Sequence, residues 1–146
     1  MRKFPFALGA SAVIVALTMG AAHAAAPAPA PTVIKDATGA KFTGDATAGE
    51  KSYRTCVACH KIEVGKNGIG PSLHGVSGRK AGSLAGYNFS GPMKNSKLTW
   101  DDQTFSDYLE NPRKKVPGTK MTYAGMRKPQ DRANVIAYIK KASAPK

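Results

Sequence analysis

Cys56-Val57-Ala58-Cys59-His60, CVACH, holds both cysteines of the chain and one of its three histidines. Four chemistries use such a stretch: a disulfide, a zinc site, a thioredoxin-like redox pair, and covalent attachment of haem. A two-residue spacing closes a very small loop, so a bridge here would stabilise little and would be redox-active instead. Zinc needs four protein ligands, or three and an open position. Adjacent Cys59 and His60 cannot easily share one tetrahedral ion, and beyond the N-terminal leader the only other histidine is His74. A thioredoxin-like pair needs a strand before it and a βαβ framework around it, and neither is legible here. Haem attachment uses every residue of the motif. Two thiols two residues apart in a helical turn reach two vinyl groups on one side of a porphyrin and form thioethers. The histidine that follows lies under the iron and offers an imidazole nitrogen.

The N-terminus is consistent with that chemistry. Arg2 and Lys3 precede a mostly apolar run from Phe4 to Met19, and Ala22-His23-Ala24 then offers small residues at both positions a signal peptidase reads. This is the three-part pattern of a secretory signal, expected over 1–24, and it places the rest of the chain in an exported compartment. The alternative is an uncleaved anchor, because Phe4 to Ala22 as one helix barely reaches the length of a membrane span. Ala25 to Pro31, AAPAPAP, alternates proline and cannot bury a core, so 25–41 is expected to be an extended linker. The folded domain is expected over 42–143, with 144–146 as a tail. A core of that size is small enough for a cofactor at its centre to matter greatly. Without Arg2 and Lys3, 20 basic side chains face 9 acidic ones, a net charge of +11. Such a balance implies an acidic partner. Export, and the lack of any aromatic-interleaved basic pattern or helix-turn-helix signal, argue against nucleic acid.

Helical signals recur along the domain. Asp45 is the expected N-cap of a first helix through ATAGEKSYRTC, with Gly49 and Tyr53 on one face and Cys56 and His60 continuing it. Glu63 to Gly91 contains eight glycines and one proline and reads as a long loop wrapped around something. Trp100 to Glu110 reads as a second helix with Thr99 as its cap and Phe105, Tyr108 and Leu109 as its apolar stripe. Asn111-Pro112 ends it, and a basic loop, RKKVPGTKMTYAGMRK, follows. Pro129 suits the first position of a last helix, PQDRANVIAYIKKA, whose buried stripe is Val135, Ile136 and Ile139 with Tyr138. No segment alternates with a strand's period. The expected class is all-α with long loops.

A second axial ligand has few candidates. His23 leaves with the signal, and His74 sits in a short loop, GPSLHG, that more often turns such a side chain to solvent or backbone. Met93 lies in polar sequence and Met126 reads as core filler. Met121 stands out because Pro117-Gly118-Thr119-Lys120 fixes a non-helical path before it, one that could hold a thioether against iron.

Taken together, GEKSY before the haem motif, CVACH, GPSLHGVSGRKAG, Trp100, YLENPRKKVPGTKM and DRANVIAYIKK resemble the class I cytochromes c, especially bacterial periplasmic members of the mitochondrial type. The resemblance implies a small cytochrome c fold whose N- and C-terminal helices pack crosswise around one haem c joined to Cys56 and Cys59. It implies His60 and Met121 as axial ligands, Pro71 accepting the outer imidazole N–H, and Tyr108 near the methionine sulfur. It implies Arg79, Tyr87, Trp100 and Thr119 around the propionates. Gly49 is then the point of close approach between the terminal helices, with Tyr53 near Val135 and Tyr138. Phe89 stands where many relatives have a propionate-binding tyrosine, and Thr55 where a lysine is common at the docking edge.

With both axial positions filled, no site remains for oxygen, peroxide or substrate, and a thioether favours the ferrous state. The sequence also shows no nucleophile–base pair, carboxylate dyad or phosphate loop. A monomeric one-electron carrier, not an enzyme, is expected. Its partners would be redox proteins with acidic docking surfaces: a quinol–cytochrome c oxidoreductase, a terminal oxidase, a reaction centre or a periplasmic dehydrogenase. Arg113, Lys114, Lys115, Lys120, Arg127 and Lys128 would form the docking ring.

Overall fold

The computed structural model describes residues 28–144. The expected signal, 1–24, lies outside the described residues, as do 25–27 of the linker and 145–146 of the tail. Five helices and one two-stranded hairpin make up the described chain: β1 (Val33–Lys35), β2 (Lys41–Thr43), α1 (Ala46–Tyr53), α2 (Gly91–Asn95), α3 (Asp102–Glu110), α4 (Pro112–Lys115) and α5 (Pro129–Ala142).

α1 and α5 form the central contact. Asp45 caps α1 by accepting from the backbone N–H of Thr47 at 2.7 Å and of Ala48 at 3.4 Å. Gly49 lies against the Asn134 carbonyl so closely that any Cβ there would overlap backbone, and Gly44 meets the Ala133 carbonyl in the same way. The Asn134 side chain locks the crossing by accepting from Asp45 N at 2.9 Å. Tyr53 and Tyr138 extend it, with ring centroids 5.2 Å apart. The buried face of α5 is Val135, Ile136 and Ile139, joined by Ala133. Tyr138 packs on the core only partly buried.

The hairpin is a correction, because no strand was expected. Ile34 on β1 is only 1% exposed and belongs to the core. Lys35 exchanges two backbone hydrogen bonds with the Gln103 side chain of α3, at 2.8 and 3.0 Å. Asp36 closes the turn by accepting from Thr38 N, Thr38 Oγ1 and Ala40 N. The packed body therefore begins at Thr32, itself buried, rather than near Phe42.

Two further differences are local. The cap of α3 is Asp101, which accepts from Thr104 N at 2.7 Å, so Trp100 precedes the helix and Thr99 does not cap it. The basic stretch after Asn111 is not all loop. Pro112 opens the single turn α4, which Asn111 caps through Lys114 N.

Candidate functional site

CVACH follows α1 without a break in hydrogen bonding. Cys56 N donates to Tyr53 O at 2.8 Å, and Cys59 N and His60 N both donate to Cys56 O, at 3.1 and 2.9 Å. This tight turn puts both sulfurs and the imidazole on one wall of a cavity of about 470 Å³. Each thiol is half-buried and unbridged. Burial pushes the Cys56 thiol up, and the Thr55 hydroxyl only partly offsets it. A redox-active cysteine needs the opposite shift.

Cys56, Cys59, His60, Pro71, Arg79, Tyr87, Trp100, Tyr108, Thr119 and Met121 all line this one cavity. His60 Nδ1 donates to Pro71 O at 2.7 Å, which puts the proton on Nδ1 and leaves the lone pair on Nε2. Burial, the larger effect, pulls the imidazole's pKa below its ordinary value, while the Pro71 carbonyl acts against it. A neutral imidazole is the form that can ligate. A short antiparallel pairing brings Arg79 beside Trp100: Trp100 N donates to Arg79 O at 3.0 Å and Gly78 N to Trp100 O at 2.9 Å. Trp100 then packs on Tyr108 and Phe105, with centroids 5.1 and 5.7 Å away. Tyr108 Oη and Thr119 Oγ1 share a 2.7 Å hydrogen bond, and Thr119 Oγ1 also accepts from Met121 N at 3.3 Å. The turn before Met121 is thereby tied to α3.

Some of the expected polar groups already have protein partners. The Tyr87 hydroxyl donates to Ile69 O at 2.6 Å, and the Arg79 guanidinium donates to His74 O at 2.8 Å and Ser72 O at 3.0 Å. His74 is not among the lining residues. Met93 is a correction: it sits in α2, 7% exposed, and lines the same cavity as Met121.

Residues 46–143 match the family model described as Cytochrome c. Cytochrome c2 from Rhodoblastus acidophilus is 53% identical over 102 residues, covering 69% of this chain and 95% of that protein. Cytochrome c2 iso-2 from Magnetospirillum fulvum is 55% identical over 89 residues, 61% of this chain and 93% of its own. Among solved structures, cytochrome cH from Methylobacterium extorquens superposes with a TM-score of 0.64 at 51% identity, covering 66% of this chain and 98% of that one. The chain belongs to the cytochrome c family.

Cytochromes of this family are electron carriers, not enzymes, and bind haem c covalently through two cysteines. In this cytochrome those are Cys56 and Cys59, its only two. The residues present fit the group. Two free thiols and a neutral imidazole share a wall, a thioether lines the same space, and the remaining walls include Leu73, Val76, Phe105 and Leu109.

One residue of the cytochrome site escaped the sequence reading. Gly70 lies flat against the imidazole, and a Cβ there would come within 2.6 Å of His60 Nδ1. Its φ is not in the left-handed region, so no turn signal marks it. Only the fold, which brings residue 70 over residue 60, reveals the need for glycine.

Proposed function

We propose that this cytochrome is a one-electron carrier whose iron is held by His60 Nε2 and Met121 Sδ, and that it is exported to the periplasm. Haem c, when bound, supplies a metal that gains and loses one electron. The chain's residues do the rest. The Pro71 carbonyl orients His60 and raises its basicity. Thr119 and Tyr108 hold the turn that carries Met121, and burial pushes the Tyr108 phenol up, so it stays protonated. Arg79, Trp100 and Tyr87 are assigned to the propionate side. The single observation that carries the reading is that His60, with its outer nitrogen already bonded, and Met121 line one cavity.

Docking by an acidic surface of a redox partner is part of the proposal. Arg113, Lys114, Lys120, Arg127 and Lys128 are exposed around the Met121 turn. The names of the relatives, cytochromes c2, support the carrier role, and the N-terminal signal pattern supports export. Among the described residues no helix is long and apolar enough to cross a membrane. The uncleaved anchor remains a second reading, and it alters location without altering the electron chemistry.

The test is the absorption spectrum of the oxidised protein. The weak sulfur-to-iron band is expected in the wild type and is lost in Met121→Ala, while Met93→Ala and Met126→Ala keep it. A band that survives Met121→Ala would defeat the ligand assignment.

A further inference from the structure

The carbonyl that accepts from His60 is one end of a peptide unit whose other end is the Ser72 N–H. At one pole His60 Nδ1 donates to Pro71 O at 2.7 Å, and at the other Ser72 N donates to Asn67 Oδ1 at 2.9 Å. A single rigid amide plane is thus gripped at both ends. Asn67 is itself anchored, since its Nδ2 donates to Gly86 O of a different loop at 3.1 Å. Ser72 is buried, and its surroundings are also saturated. Its Oγ donates to Glu63 O at 2.7 Å, and its carbonyl accepts from Arg79 at 3.0 Å. The Asn67 side chain is exposed and does not line the cavity.

We propose that Asn67 is a positioning residue for His60, acting through the Pro71–Ser72 peptide to set the strength of the His60 Nδ1 hydrogen bond and thereby the reduction potential. The proposal rests on the reading of His60 as an iron ligand. A hydrogen bond at the N–H end of an amide draws electron density toward its carbonyl oxygen, and linked bonds strengthen one another by about 10–30% each. A stronger acceptor at Pro71 takes a larger share of the Nδ1 proton. The imidazole becomes a better donor at Nε2 and favours the more highly charged oxidised state. Asn67 fixes the plane as well, because the same bond forbids the peptide to rotate away from the ring.

The experiment uses the haem-loaded protein with two variants, Asn67→Ala and Asn67→Asp. It reads the equilibrium potential and the His60 Nδ1 proton resonance of the reduced, diamagnetic state. Loss of the amide in Asn67→Ala is expected to raise the ratio of reduced to oxidised protein at fixed ambient potential about twofold. That is ~18 mV for a one-electron couple at 59 mV per tenfold. The Nδ1 proton moves upfield as its bond weakens. Asn67→Asp gives up the donation to Gly86 O but keeps an acceptor for Ser72 N–H and makes it a stronger, charged one, so the proton moves downfield and the potential falls. The fall persists at 1 M salt, where the Debye length is about 3 Å and an exposed charge acts little through space. An unmoved potential and proton in Asn67→Ala, whatever its stability, overturns the proposal. Should Asn67→Ala not fold, an unmoved or upfield proton in Asn67→Asp overturns it. The ligand reading is checked separately in the wild type, where the His60 ring-carbon protons must carry the upfield shifts of an imidazole over a porphyrin. If those shifts are absent, the ligand reading falls. If they are intact and the Nδ1 proton is indifferent to residue 67, only the Asn67 proposal falls.

Discussion

Lys97 follows Ser96, the C-terminal cap of α2, with φ of 56°, the only positive value on a non-glycine among the described residues. The position just past a helix cap favours the left-handed conformation, and glycine usually fills it because a Cβ clashes with the following carbonyl. Lysine is exposed here and has no partner of its own to offset that cost. The left-handed penalty is about 1–2 kcal/mol, and glycine's greater freedom in the unfolded chain returns about 0.5–1 kcal/mol. Lys97→Gly is therefore expected to stabilise the protein by about 0.5–1 kcal/mol, read as a higher denaturation midpoint with an unchanged spectrum; a lower midpoint would refute the strain argument. Strain of this kind is invisible in the sequence NSKL, as is the need for glycine at position 70. Both depend on backbone conformation or on a chain segment ten residues away. CVACH was legible because every residue of that motif lies within one turn, so spacing alone carries its geometry. Pro71 was reached only through resemblance, since nothing local ties residue 71 to residue 60.

At the scale of elements, the three long helices announced themselves through start residues and stripes: Asp45 caps α1 and α5 starts at Pro129 as expected, while the cap of α3 lies two residues beyond the expected Thr99. The short elements did not. α2 and α4 are one turn each, and β1 and β2 have three residues each, too few for a period to show. Thr99 and Asp101 are both good cap residues, and only the fold chose between them. The hairpin was further masked by its position after the Ala/Pro run. Its contribution is nevertheless that of a core element. Ile34 is buried against α3 and α5, on the side of α3 that carries Gln103, whereas Phe105, Tyr108 and Leu109 face the cavity. Ile34→Ala is expected to cost about 2–4 kcal/mol, in the usual range for a buried large-to-small change. The denaturation midpoint should drop while the haem spectrum and potential hold. A shifted spectrum would mean that the hairpin reaches the site, against the geometry of α3.

For the molecule as a whole, charge is the property that bears on function, and its distribution matters more than its sum. Of the six basic residues around the methionine loop, Lys115 stands apart. Its Nζ sits 2.9 Å from Asp107 Oδ2, and it is only partly exposed. Burial alone would raise the Asp107 carboxyl, but hydrogen bonds from Lys115 and Gln103 and the Lys115 charge outweigh it and hold the pKa below its ordinary value. The stabilisation this contributes is complete above the ordinary carboxylate pKa and is lost progressively as pH falls from that value through the lowered one. A lysine so engaged offers little field to a partner, whereas Lys114 beside it is exposed. Steering by exposed charge raises association rates by 10–10³-fold and weakens steeply with salt. With an anionic redox protein as partner, Lys114→Glu is expected to lower the second-order electron-transfer rate about three- to tenfold at low ionic strength, the difference vanishing at high salt. Lys115→Gln should change that rate much less and lower stability instead. Equal rate losses in the two variants, or a wild-type rate indifferent to salt, would mean that this face does not dock. Reaction with a small uncharged reductant should be unaffected by either change, because steering needs charge on both bodies.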